Sequence, residues 1–174
     1  MSVARPLPRL AADCSACAAL CCMALAFDRD EFFALDKPAL HPCPNLSGHA
    51  CTIHDRLEAR GFRGCTLYNC QGAGQRVVHE VFGGADWQQD ATLRAPMAEA
   101  LGTLTRIHAG LELLLTAEAL ALPPDLAAER QALQALFHPP GPWSPDSLRA
   151  FAASGAAQRL ADFLTALRPH VAAP

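Results

Sequence analysis

Apolar side chains between Ala95 and Leu122 recur with a 4, 3, 4, 3 spacing: Met97, Leu101, Leu104, His108, Leu111, Leu115 and Leu122 fall on one stripe. That period predicts a long amphipathic helix, which Pro123-Pro124 must stop. Asp125 to Phe137 predicts a second helix, and "HPPGPWSP" a rigid linker. Ser144-Pro145 is an N-cap and first-turn pair for a helix from about 145 to 153. Ser154-Gly155 breaks it, and a last helix runs to about Leu167. Before residue 91 no such stripe is sustained. Residues 1–12 predict an extended lead-in, since Pro6 and Pro8 resist helix. Residues 13–26 read as a helix or a knuckled loop. Asp28 caps a predicted short helix over "RDEFFAL". "KPALHPCPNLSGHAC" is a loop, "TIHDRLEARGF" a short helix ended by Gly61, and "RGCTLYNCQGAGQ" a series of turns, with a short helix near "RVVHEVFGG". There is no internal repeat and little strand signal. The expected fold is mostly α: a cysteine-rich, loop-heavy metal-binding part, residues 13–90, packed on a helical bundle, residues 91–174.

Composition sharpens this picture. The 174 residues suffice for a hydrophobic core without cysteine staples. The formal charge is −3, and the 14 basic residues, all Arg except Lys37, are scattered, which excludes the basic stripe of a nucleic-acid binder. No apolar run approaches the ~18 residues of a membrane span. The expectation is therefore no nucleic acid and no membrane.

All eight cysteines lie in the first 70 residues: Cys14, Cys17, Cys21, Cys22, Cys43, Cys51, Cys65 and Cys70. Structural cysteines would be spread through the whole core, so the clustering implies a shared task. "CSACAALCC" places four of them in nine residues. As a helix, Cys14, Cys17 and Cys21 would share an arc of roughly 60°, with Cys22 off that face. As a loop, C-x2-C is a metal-gripping knuckle. Repulsion between close thiolates makes a cation the natural neutraliser. Cys43 stands between Pro42 and Pro44, which stiffen its loop. His54, three residues from Cys51, is a candidate nitrogen ligand, and His41 and His49 are weaker ones.

A leader is the competing explanation. Arg5 and Arg9 precede the apolar stretch from Ala16 to Phe27, and Ala24-Leu25-Ala26 has a small-x-small form. Cleavage there would leave Cys43, Cys51, Cys65 and Cys70 as a two-disulfide set in a secreted domain. Asp13, two prolines and the ligand-like cysteine spacing weigh against it, and "DRDEFFAL" reads as the continuation of a fold. The expectation is a cytoplasmic protein, where clustered thiols more often hold metal or do redox chemistry.

The pattern C-x2-C-x3-C-C, then C-x7-C, then C-x4-C with a Tyr between the last pair, resembles the YkgJ-type cysteine-cluster family of zinc- or iron-chelating domains. "CTIH" stands where that family has C-x-I-Y, and "GCTLYNC" where it has a C-R-x-(aromatic) stretch. "DKPALHPCPNL", "CTIHDRLEARGFRGCTLYNCQGAGQ" and "FGGADW" are more similar to a variant of this module found ahead of actinobacterial pentapeptide-repeat regions. The pentapeptide repeats, and the common Arg-Pro before the third segment, are absent from this chain. The resemblance spans roughly residues 10–120 and implies that all eight cysteines are metal ligands. Zinc favours closed tetrahedral thiolate sites, and an iron–sulfur cluster also takes four thiolates. An iron–sulfur cluster is favoured over zinc here.

The expected function is that of an accessory, non-catalytic metal-binding protein whose C-terminal helices shield the site or dock a protein partner. A redox enzyme or electron-transfer component with an open coordination position is the alternative, with Cys22 the first candidate for a free thiol. Other signals are weaker. Gly72-Ala73-Gly74 reads as a tight turn rather than a phosphate loop. His108 and Glu112 read as a core histidine and a surface acid. Gly102 and Gly110, inside the long helix, suggest close backbone approach, with the cysteine loops as the expected partner. Trp87 and Trp143 read as packing residues, and no nucleophile–His–acid order stands out.

Overall fold

Nine residues of extended or turning backbone, 5–13, precede regular structure in the described part of the chain, residues 5–171 of a computed structural model. Residues 1–4 of the expected lead-in and 172–174 of the expected helical region lie outside the described residues. A single 3-10 turn, Cys14–Ala16, is capped by Asp13, whose carboxylate accepts from the Ser15 N–H at 3.1 Å and the Ser15 hydroxyl at 2.6 Å. Helix α1, Leu20–Ala24, starts only after Ala19, which sits in the left-handed region at φ 51°. That residue forbids one continuous helix through 13–26, and the segment is a knuckle followed by a short helix.

The helix expected over 29–35 does not form. Asp30 accepts from the N–H groups of Phe32 and Phe33 at 2.7 and 3.1 Å, which offers the backbone a turn in place of a helix. The turn lets Phe27 pair with Lys37 in an antiparallel bridge and stack on Phe33, with centroids 4.3 Å apart. The proline-rich loop that follows carries a small hairpin, β1 (Leu46–Ser47) and β2 (Ala50–Cys51), with Leu46 opposite Cys51. "TIHDRLEARGF" forms two 3-10 turns, His54–Arg56 and Glu58–Arg60, rather than an α-helix, and ends as expected at Gly61, φ 76°. Helices α2 (Arg63–Leu67) and α3 (Ala73–Arg76) follow, the latter continued by a π turn, Val77–Val81.

The long stripe becomes α4, Arg94–Thr116, which gives way to a 3-10 turn at Ala117–Ala119, so Leu122 lies beyond its end. α5 is Pro124–Phe137, and α6 is Pro145–Ala153, opened by a reciprocal Ser144–Ser147 capping box. α7, Ala156–Leu167, starts after Gly155 at φ 74°. The fold is mostly α, with a cysteine-rich, loop-heavy first half and a helical second half.

One core joins both halves. Met97, Leu104, Ile107, Leu111 and Leu114 of α4 are fully buried. They belong to one apolar cluster with Leu20 and Met23 of α1, Ala73 of α3, Val77, Trp87, Leu133 and Phe137 of α5, and Phe163 of α7. A second, small cluster of Ile53, Leu57 and Phe62 lies under the cysteine loops. Leu20 and Met23 are part of the main core, and the Trp87 indole donates to the Ala18 carbonyl at 2.6 Å. The stretch that resembles a leader is thus built into the fold. Among the described residues no helix is long and apolar enough to cross a membrane.

The close approach expected at the helix glycines occurs at Gly110 but with a different partner, and not at Gly102. A Cβ on Gly110 would stand 2.3 Å from the Phe137 ring and 2.9 Å from Leu160, so α5 and α7 make the close approach, not the cysteine loops. A Cβ on Gly102 would meet nothing nearer than Arg106 at 3.8 Å. Gly110→Ala should therefore destabilise the fold by about 1–3 kcal/mol through overpacking. Gly102→Ala should be neutral or stabilise it by up to ~1 kcal/mol through helix propensity. Urea unfolding of both variants checks the pair; equal effects would contradict this packing.

Candidate metal centre

The first thiols converge, although not through a common helix. Cys14 lies in the 3-10 turn, Cys17 is extended after it, and Cys21 and Cys22 lie on α1. Cys14, Cys17, Cys21 and Cys70 all line one small gap of about 30 Å³, together with Asp13, Gly74 and Leu101. Cys14, Cys21, Cys22, Cys51, Cys65 and Cys70 line a larger cavity of about 380 Å³, with His54 and Tyr68 on its wall. An open groove of about 500 Å³ runs past Cys14, Cys17, Cys21, Cys22, Cys51, His49 and His54. Cys43 is buried beside them, and its N–H donates to the Cys22 carbonyl at 3.0 Å. All eight are free thiols. Among the described residues no three His, Cys, Asp or Glu side chains already stand together as a finished ligand set. The thiols line a space rather than meet at a point.

Cys14, Cys17, Cys21 and Cys65 favour the protonated form while protein alone surrounds them. Burial pushes the Cys17 and Cys65 thiols up to about 11, with neighbouring cysteines adding to the effect. Burial likewise raises Cys14. Cys21 is raised furthest, by its hydrogen bond with Cys22 and then by burial. A bound cation reverses such a balance, because it stabilises the thiolate outright. Tyr68 is pushed up to about 12 by burial and stays a neutral phenol.

The histidines divide. His54 lines both the cavity and the groove near Cys51. His49 also lines the groove, but its Nε2 is 3.1 Å from Asp86. His41 does not line these spaces; its Nδ1 donates to the Ala39 carbonyl at 3.0 Å within its own loop.

His108 is fully buried and acts from behind the cysteines. Its Nδ1 donates to the Gln71 carbonyl at 2.6 Å, next to Cys70, and its Nε2 accepts from Arg76 at 2.7 Å. Arg76 holds Glu80 with two bonds, at 2.8 and 2.9 Å. Glu80 also meets Arg5 at 2.7 Å and accepts from the Trp143 N–H at 2.7 Å. Glu112 accepts from the Gln71 side chain, so the His108–Glu112 pair grips one residue from two sides. The sequence reading took His108 as core but missed Arg76 and Glu80, whose only signal is their i,i+4 spacing in "RVVHE". It also missed Lys37, which is buried and donates to the carbonyls of Met23, Pro38 and His41 at 3.3, 3.2 and 2.8 Å.

Gly72 and Gly74 have steric jobs. Gly72, at φ 83°, lies where a Cβ would stand 2.5 Å from the Arg9 carbonyl. A Cβ on Gly74 would stand 2.7 Å from the Cys17 sulfur and 3.8 Å from the Cys70 sulfur.

Comparison with known proteins adds one relative of unassigned role. No family model matches the chain, and no solved structure matches it. The uncharacterized protein YybG of Bacillus subtilis (strain 168) is 40% identical to it over 100 residues, which is 57% of this chain and 36% of that protein. The chain thus matches little more than a third of that relative's own length.

Acid should loosen the scaffold behind Cys70. Burial holds His108 down at about 4, from an ordinary value of 6.5. Burial alone would raise Glu80, but Arg76, Arg5 and the Trp143 N–H outweigh it and hold the carboxyl at about 2. For both groups the unfolded chain binds the proton more readily than the folded one. Stability is therefore lost as pH falls, from 6.5 toward 4 for His108 and from 4.5 toward 2 for Glu80, with at most about 1.4 kcal/mol per pH unit per group. Urea unfolding between pH 7 and pH 4.5 should show this decline, and His108→Gln should be less stable at pH 7 with a shallower decline. An unchanged slope in that variant would contradict the role given to His108.

Proposed function

We propose that this is a metal-binding protein whose eight cysteines hold an iron–sulfur cluster, or else zinc, in an accessory role. The observation that carries the reading is the convergence of seven thiols on adjoining spaces, with Cys43 bonded through its backbone to Cys22. The donor set fits: thiolates select zinc and iron–sulfur clusters over hard cations. The buried Lys37, held by the Met23 and His41 carbonyls between the Cys22 and Cys43 segments, would offset the charge of metal-bound thiolates. The cluster reading is favoured because tightly spaced cysteines joined by remote ones is a recurrent cluster pattern. When bound, a cluster would supply one-electron chemistry, and zinc a structural cross-link. This reading places the protein with the YkgJ-type cysteine-cluster domains, in a reducing bacterial cytoplasm. Its helical half provides α4 as the scaffold, and partner docking on those helices belongs to the same reading.

The open groove over Cys14, Cys21 and Cys22 favours a second reading, an electron-transfer or redox component with an exposed coordination position. Alkylation of the anaerobically purified, loaded protein separates the two. A closed site protects all eight thiols, whereas an open one leaves a cysteine, Cys22 first, to be labelled.

Loading should also stabilise the fold, since binding to a site absent from the unfolded chain is folding free energy. A metal that contributes ~4 kcal/mol raises Tm by about 10 °C in a chain of this size. Calorimetry before and after chelation checks this; an unchanged Tm, with all eight thiols reacting equally in both samples, would overturn the proposal.

A further inference from the structure

We propose that the thiols form two separate four-cysteine centres, Cys14, Cys17, Cys21 and Cys70 in one and Cys22, Cys43, Cys51 and Cys65 in the other, each closed by one metal ion or one cluster. This rests on the metal-binding reading and goes beyond it by assigning every ligand.

The first set is defined by the small gap of about 30 Å³, which all four of its members line and none of the other cysteines does. Gly74 fixes two of them together, because Cys17 and Cys70 both bring their sulfurs within 4 Å of the place its Cβ would take. The second set is tied through its backbone. Cys43 donates to the Cys22 carbonyl, and the Cys43 carbonyl accepts from the Leu46 N–H, both at 3.0 Å. Leu46 in turn faces Cys51 across the hairpin. Packing makes the same division independently. Cys17 and Cys70 pack against the main core, whereas Cys51 and Cys65 pack against the small cluster of Ile53, Leu57 and Phe62.

α1 is the hinge between the sets. Consecutive helical residues leave the axis about 100° apart, so Cys21 and Cys22, whose thiols are hydrogen-bonded to each other while no metal is bound, would part on loading to serve two centres where a lone cysteine could serve only one. The double cysteine at 21–22 has its purpose in this. The larger cavity, lined by members of both sets, lies between the centres. Lys37 donates to the carbonyls of Met23, next to Cys22, and His41, two residues from Cys43, which sets it beside the second centre. Each thiol that coordinates gives its proton to solvent, so loading one centre releases up to four.

Anaerobic titration of the metal-free, full-length protein with Co²⁺ tests the division, because thiolate–cobalt absorption counts bound ions. The wild type should bind two Co²⁺. Cys17→Ser should keep one, with Cys22, Cys43, Cys51 and Cys65 still protected from alkylation and Cys14, Cys21 and Cys70 labelled. Cys65→Ser should keep one with the complementary protection, and the double variant none. A wild type that binds one ion, or single variants that each lose both, would overturn the two-centre assignment and leave the metal-binding reading standing. A wild type that binds no Co²⁺, and is metal-free when isolated without oxygen, would overturn both. Should a variant fail to fold, the wild type alone decides. As a chelator strips cobalt, its cysteines should become reactive in these two groups of four, and groups of any other membership contradict the proposal.

Discussion

A neutral imidazole inside α4 fixes where the cysteine-rich half sits. His108 holds the Gln71 carbonyl on one side and Arg76 on the other, and Arg76 clamps Glu80, which takes the Arg5 side chain and the Trp143 N–H. The chain on the way to Cys14, the Cys70 loop, α3, α4 and the linker before α6 thereby meet in one connected polar network. Because His108 is buried and Arg76 and Glu80 are largely covered, a partner removed from the network leaves others unsatisfied at a cost above that of a surface ion pair. The apolar faces of α1, α3, α5 and α7 close around the same helix. α4 is the rigid frame, and the network sets the position of the loops upon it.

The loops themselves have little regular structure to hold them. Their local devices are single turns: the Asp13 cap, the Asp30 turn, a hairpin two residues deep on each strand, and the Gly61 stop. Such pieces hold backbone direction but bury little apolar surface, as the three-residue cluster of Ile53, Leu57 and Phe62 illustrates. Thiols spread along them line a space without closing it. On the proposed reading a thiophilic metal would supply the missing cross-links, and the raised pKa values of Cys17 and Cys65 would make its binding a proton-releasing step.

The helical half was legible in the sequence because its signals are local. The stripe through Met97, Leu104 and Leu111, the Ser144-Pro145 start and the Gly155 break each act within a few residues, and each lies where it was expected. The cysteine half was legible in composition but not in shape. A left-handed Ala19 and a run of 3-10 turns carry no sequence period, and the Asp30 turn displaced the expected helix at 29–35. The partners of His108 were hidden for another reason: Gln71 and Arg76 lie 37 and 32 residues away from it. The eight thiols were named as one group from their clustering, whereas no spacing announces that Cys17 and Cys70 pack against the main core and Cys51 and Cys65 against a second, smaller cluster.

The most direct test of the central claim is elemental. The native protein, purified without oxygen, should be analysed for iron, zinc and acid-labile sulfide per chain beside its visible spectrum. The account predicts a thiolate-bound metal: about four iron and four sulfide for each set of four thiolates, with broad absorption near 400 nm, or zinc in a colourless protein. A chain that carries neither metal above trace and presents eight freely titrating thiols would contradict it.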